Sequence, residues 1–134
     1  MKNILPLTIL MSASLWAAPT NKSTPTNLPT LERNVDIIAA GVFNSGILAN
    51  PVKGATYDYV PASDELLAKA VRIREVLEGH QVSLTSAALQ FPLRHPAVKS
   101  VLVGCRSAAE VATNIAEFDK TIENKVWDDL VSVL

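Results

Sequence analysis

The 134 residues contain a single cysteine, Cys105, which excludes an intrachain disulfide and a cysteine-based zinc centre. Aromatic residues make up only 5%, too few for a platform that stacks nucleic-acid bases. Neither sign of charge dominates: 12 basic residues face 13 acidic ones, for a net charge of -1. There is no basic stripe for nucleic acid and no acidic tail for cations. No apolar stretch is long enough for a stable membrane span, since the longest candidate, Ile4 to Trp16, falls short of a bilayer's thickness. What is present is an ordinary globular composition, 49% hydrophobic and sized for one modest domain.

The chain divides into three parts. Residues 1–18 carry Lys2, an apolar run and then Ala17 and Ala18, a pattern like that of a signal peptide, although Leu15 is a poor fit three places before the cut. Residues 19–34 include NKSTPTNLPT, polar and without periodicity, and read as a disordered linker. Residues 35–134 read as the folded part.

Val35 to Val42 is a nearly continuous apolar run, as expected of a strand covered on both faces in a parallel sheet. A long loop, Asn50 to Ala62, follows. Ser63 caps the next helix, whose first turn holds Asp64 and Glu65 and whose apolar stripe is Leu66, Ala70, Ile73 and Leu77. A second helix runs from Leu84 to Phe91. Val98 to Val103 forms another strand. Ser107 and Glu110 then read as a capping box, each satisfying the other's amide, with Val111, Ile115 and Phe118 as the helix's inward face. The last helix, about Lys125 to Leu134, places Trp127, Leu130, Val131 and Leu134 on one side. Strands alternating with helices predict an α/β fold with a parallel sheet.

In such sheets ligands bind beyond the carboxyl ends of the strands. Two loops stand there: Phe43-Asn44-Ser45-Gly46-Ile47-Leu48 and Gly104-Cys105-Arg106-Ser107. The second runs into a helix amino terminus, where free amides and the dipole favour phosphate. A plain strand-to-helix turn with a cap accounts for the same residues without a ligand.

The segments AGVFNSGILA, GATYDY and SAALQFPLRHPAVKSVLVGCRSAAEVATNIAEF, in this order, resemble the last third of the aldo-keto reductases, and within them the bacterial L-fucose and D-threo-aldose 1-dehydrogenases. The resemblance spans Val35 to Leu134. It implies the carboxy-terminal portion of a (β/α)8 TIM barrel, about two strands plus helices of an incomplete barrel, with Val35–Val42 and Val98–Val103 as the seventh and eighth strands. It also implies a nicotinamide cofactor held in extended form. Phe43, Asn44, Ser45, Gly46 and Leu48 belong to the loop that would wrap the pyrophosphate. Gly104, Arg106 and Ser107 would follow the adenosine phosphate and ribose, and Asn114 would face the adenine.

Two departures bear on the cofactor. Many family members that bind NADP carry arginine where Glu110 stands; a carboxylate there repels a 2′-phosphate and can accept from a free ribose hydroxyl, favouring NAD, while Arg106 favours NADP. The aromatic that stacks on nicotinamide in the family falls near Ala40, which leaves two alternatives: Phe43 as its substitute, or no stacking.

The family's catalytic tyrosine, lysine, histidine and aspartate come from the first four strands, and nothing in Met1–Asn34 resembles those strands. Lys53, Tyr57, Asp58, Tyr59, His80 and His95 supply the residue types but not on successive strand ends, so no catalytic residue is assigned. His95 reads as part of a helix-ending turn and Cys105 as a small semi-buried residue. Tyr57 and Tyr59 read as loop anchors or as the border of a sugar pocket. The expectation is an NAD(P)-dependent, aldose dehydrogenase-like reductase segment, inactive alone and prone to self-association, that takes cofactor and sugar or aldehyde once another barrel half completes it. Its alternative is a non-catalytic, exported binding protein. The family implies a cytoplasmic location, and a working signal peptide a periplasmic or secreted one.

Overall fold

The computed structural model describes residues 4–6 and 36–133. Three parallel strands form the sheet in the order β1 (Ile4–Pro6), β2 (Ile37–Ala40), β5 (Val98–Leu102). β1 lies inside the segment expected to be a leader; the rest of residues 1–18, and the linker up to residue 34, fall outside the described residues. Between β2 and β5 come a short antiparallel hairpin, β3 (Thr56–Tyr57) and β4 (Val60–Pro61), and two helices, α1 (Asp64–Gly79) and α2 (Leu84–Gln90). After β5 follow α3 (Ala108–Phe118) and α4 (Asn124–Val131). Connecting parallel neighbours requires such a helical crossover.

Helix starts follow the expected chemistry. Ser63 Oγ accepts from Leu66 N at 3.3 Å, and Ser83 Oγ accepts from Ser86 N at 3.0 Å. Of the predicted α1 stripe, Ala70, Ile73 and Leu77 are buried and Leu66 packs against them. They meet Leu84, Ala87 and Leu89 of α2 and Val126, Trp127 and Leu130 of α4, in a core that also takes in Val42, Ile47 and Leu48. Phe91 lies 6.2 Å from the Trp127 ring, and the Arg94 guanidinium sits 5.1 Å above it.

Several expectations need correction. The loop before α1 contains the β3–β4 hairpin, turned by Asp58 and Tyr59, both at positive φ. α4 buries Val126, Trp127 and Leu130, while Val131 is exposed and Leu134 lies outside the described residues. The largest correction concerns α3. Val111, Ile115 and Phe118 do not face inward: they are 44%, 57% and 39% exposed, and α3 buries no residue fully.

Among the described residues the sheet is likewise covered on one face, not two. Ile37, Ala39 and Val98 are buried with Leu93 and Val101 packed against them on this face. In the register Ile38↔Ser100 and Ala40↔Leu102 the alternate side chains point the other way. There Ile38 and Ala40 are half-buried, and Leu102 is 56% exposed. Three strands cannot curl far enough to cover their own inner face.

Candidate functional site

Because Ala40 pairs with Leu102 in parallel, β2 and β5 end level, and their outgoing loops leave on the same side. The two loops singled out in the sequence are therefore neighbours at the carboxyl edge of the sheet.

The first loop is sharply bent. Asn44 (φ 47°), Ser45 (φ 61°) and Gly46 (φ 113°) occupy positive φ in succession, preceded by Gly41 at φ 69°. For Asn and Ser this costs free energy that the surroundings must offset. They do so through the hairpin: Thr56 Oγ1 donates to Ser45 O at 2.5 Å, and Tyr59 N donates to Ser45 Oγ at 2.9 Å. Ile47 and Leu48 anchor the far end in the core, so neither side chain is free to meet a ligand. Phe43 also packs against that core, and Ala40 remains in the strand. Asn44 is buried, and its Nδ2 has no hydrogen-bond partner among the described residues. An orphaned buried amide of this kind costs about 1–3 kcal/mol.

The second loop, Gly104 to Ser107, is exposed throughout. Ser107 Oγ accepts from Glu110 N at 3.1 Å, as a capping residue should. The reciprocal bond goes elsewhere than expected. Glu110 Oε2 accepts from Arg106 N at 2.7 Å, one residue before the cap, and Oε1 accepts from the Arg106 guanidinium at 2.9 and 3.1 Å. The Arg106 backbone amide, then its guanidinium, hold the Glu110 carboxyl below its ordinary range. One turn along, Asn114 Nδ2 donates to Cys105 Sγ at 3.3 Å, and Cys105 is exposed rather than semi-buried.

The scattered polar residues do not assemble into a second site. His80 ends α1, where its Nε2 lies 2.9 Å from Asp129 Oδ2; Lys125 Nζ reaches the same oxygen at 2.6 Å and is the main reason that carboxyl is held low. His95 precedes β5, at the opposite end of the strand from Gly104, and its Nδ1 accepts from Ala97 N. Tyr57 packs on the core, and Tyr59 is 89% exposed at the hairpin tip. No cluster of three or more His, Cys, Asp or Glu capable of holding a metal occurs among the described residues.

What this arrangement offers chemically is a cradle. A pre-bent loop with a buried, unpaired amide donor lies beside a helix amino terminus flanked by a cation and a hydroxyl. Both elements suit an extended, phosphorylated ligand. The sequence did not reveal the Thr56 and Tyr59 bonds to Ser45; Pro51, Gly54 and Pro61 marked only a long loop there.

Residues 7–134 match the model of the aldo/keto reductase family. The chain belongs to that family. The match reaches into the stretch that the sequence reading divides between a leader and a linker. The chain is 41% identical over 102 residues to pyridoxal 4-dehydrogenase of Microbacterium luteolum, covering 75% of this chain and 30% of that protein. It is 35% identical over 127 residues to D-threo-aldose 1-dehydrogenase of a Pseudomonas species, covering 92% and 39%. Among solved structures, the apo form of aldo-keto reductase AKR11C1 from Bacillus halodurans superimposes with a TM-score of 0.61 at 23% identity, over 81% of this chain and 38% of that one. The chain thus spans well under half the length of these relatives, and its fold is part of an aldo-keto reductase barrel.

Proposed function

We propose that this chain is the cofactor-side part of an NAD(P)-dependent dehydrogenase acting on a hydroxylated aldehyde of the sugar class. The observation that carries this reading is the level ending of β2 and β5, which sets the Asn44–Gly46 loop beside the Gly104–Ser107 turn and the amino terminus of α3. In this reading Asn44, Ser45 and Gly46 hold the pyrophosphate, and Gly104, Arg106 and Ser107 the adenosine phosphate and ribose. Glu110 and Asn114 border the adenosine end, with Phe43 and Leu48 supporting the loop from behind. When bound, the cofactor supplies the hydride acceptor or donor. The residues here bind and orient it.

NAD is the preferred cofactor in this proposal. Glu110 remains a carboxylate at neutral pH, and Arg106 is already engaged by it, leaving no unpaired cation at that position for a 2′-phosphate. The sugar-class assignment rests on the relative named for D-threo-aldose, while the one named for pyridoxal supports only a hydroxylated aldehyde. No tyrosine, lysine, histidine and aspartate converge at the described strand ends, so the chain alone is proposed to be inactive, and turnover to need a complementary barrel portion.

Titration of the full chain with NAD and with NADP, followed calorimetrically, tests this reading. Binding of NAD at least several-fold tighter than NADP, with no hydride transfer to or from aldoses, is expected. Absence of binding to a folded chain overturns the cofactor assignment, and turnover by the chain alone overturns the inactivity.

A further inference from the structure

The inward side of α3 is polar. Glu110, Asn114 and Glu117 are its half-buried residues, and all the others are exposed. Spacings of four and then three residues set them on one face of the helix. This stripe begins at the adenosine end of the cradle and runs away from it, with a hydrogen-bonded rung at each step.

Two rungs tie the helix to its own lead-in loop, Glu110 to Arg106 and Asn114 to Cys105. The third reaches another element. The Ser83 and Ser86 hydroxyls both donate to Glu117 Oε2, the second at 2.5 Å, and Lys120 Nζ donates to Oε1 at 2.6 Å. Ser86 is completely buried, and the Glu117 side chain is only 19% exposed. Gln90 Nε2 adds bonds to the carbonyls of Phe118 and Lys120 at 2.9 and 2.7 Å. Ser83, Ser86 and Gln90 are themselves spaced by three and four residues, so one side of α2 and its cap meets α3 through polar groups.

A carboxylate oxygen that accepts two hydroxyl bonds is directional, and it fixes the rotation of a helix as well as its distance. An apolar contact in the same place would tolerate sliding and turning. Glu110 lies seven residues before Glu117, about 10 Å along the axis of one continuous helix. The rotation set at Glu117 is therefore passed on to Asn114, Glu110 and Ser107.

We propose that Glu117 is a positioning residue for the adenosine end of the cofactor site, acting through its clamp on Ser83 and Ser86. The proposal rests on the cofactor reading above, in which Ser107, Glu110 and Asn114 meet or border the adenosine. Glu117 makes no contact with the nucleotide in this scheme. It sets where the amino terminus of α3 stands and which way its polar face is turned.

The test titrates the full chain with AMP and with NAD by calorimetry, each Kd corrected for the folded fraction, and records α3 amide exchange without nucleotide. Glu117→Gln keeps the side chain's shape but weakens the acceptor, and Ser86→Ala removes one bond should the first variant fail to fold. Each should weaken AMP and NAD by the same factor, about threefold or more. Glu117→Gln should also speed exchange at the Glu110 and Val111 amides, a full two turns from the substitution. Leu130→Ala, which destabilises the core through α4, should leave the corrected affinities unchanged. Equal weakening by Leu130→Ala would reduce Glu117 to general support of the fold and overturn the proposal. Unchanged AMP affinity in the Glu117 and Ser86 variants, or exchange that quickens only beside residue 117, would overturn it while the cofactor reading stands. If the native chain binds neither nucleotide, that reading falls and this one with it.

Discussion

The two helices that follow β5 are anchored by opposite means. α4 buries Val126, Trp127 and Leu130 in the principal core, while α3 buries nothing fully and holds its place through Glu117 and the serine hydroxyls of α2. An apolar anchor is non-directional and strong; a polar anchor is weaker, fixes one orientation and depends on charge. The same short segment therefore contains one helix that belongs to the existing core and one that presents an apolar face outward.

The contrast breaks most visibly at Trp127. Trp127→Ala should cost about 3–5 kcal/mol in urea unfolding, since it removes a large buried side chain along with its contacts to Phe91 and Arg94. A loss below about 1 kcal/mol would show that the α4 core is not cooperative with the rest.

Glu117→Gln should cost less, about 1–2 kcal/mol, and should speed amide exchange in α3 before it affects α4. Its pH dependence has a definite sign. Lys120, then Ser83 and Ser86, lower the Glu117 pKa to about 2, below its ordinary value of 4.5. The contribution is thus fully present above about pH 4.5 and lost as pH falls towards 2. In the Gln variant this acid-dependent part of the α3 exchange profile should vanish.

Gly46→Ala probes the cradle without a steric clash, because an added Cβ meets nothing within 4 Å while φ stays at 113°. Strain of about 1–2 kcal/mol is expected by thermal melting, along with weaker nucleotide binding. Smallest of all, Arg106→Ala should change stability by less than about 1 kcal/mol, since the Arg106–Glu110 pair is solvent-exposed. It should nevertheless shift the NAD-to-NADP binding ratio, read by the same calorimetric titration.

Much of the fold was legible. Both long strands, the Ser63 and Ser107 caps and the α1 stripe were written in local patterns of capping and periodicity, which act over a few residues. The family motif placed the two loops correctly at the ends of parallel neighbours. What the sequence concealed was which apolar residues would find partners. Val111, Ile115 and Phe118 have an inward-facing pattern because periodicity records that a face is apolar, not whether anything covers it. The Glu110 bond to Arg106 N and the clamp of Thr56 and Tyr59 on Ser45 were equally hidden. Each depends on backbone geometry settled only once the loops are built.

The run of positive φ from Asn44 to Gly46 has a thermodynamic consequence of its own. Its bend is imposed during folding, by the hairpin and by the buried Ile47 and Leu48, long before any ligand arrives. A molecule that settles there finds the loop already shaped and gives up little chain entropy to it. Affinity at this end should therefore vary little with temperature-driven loop ordering and should track the folded population of the chain itself.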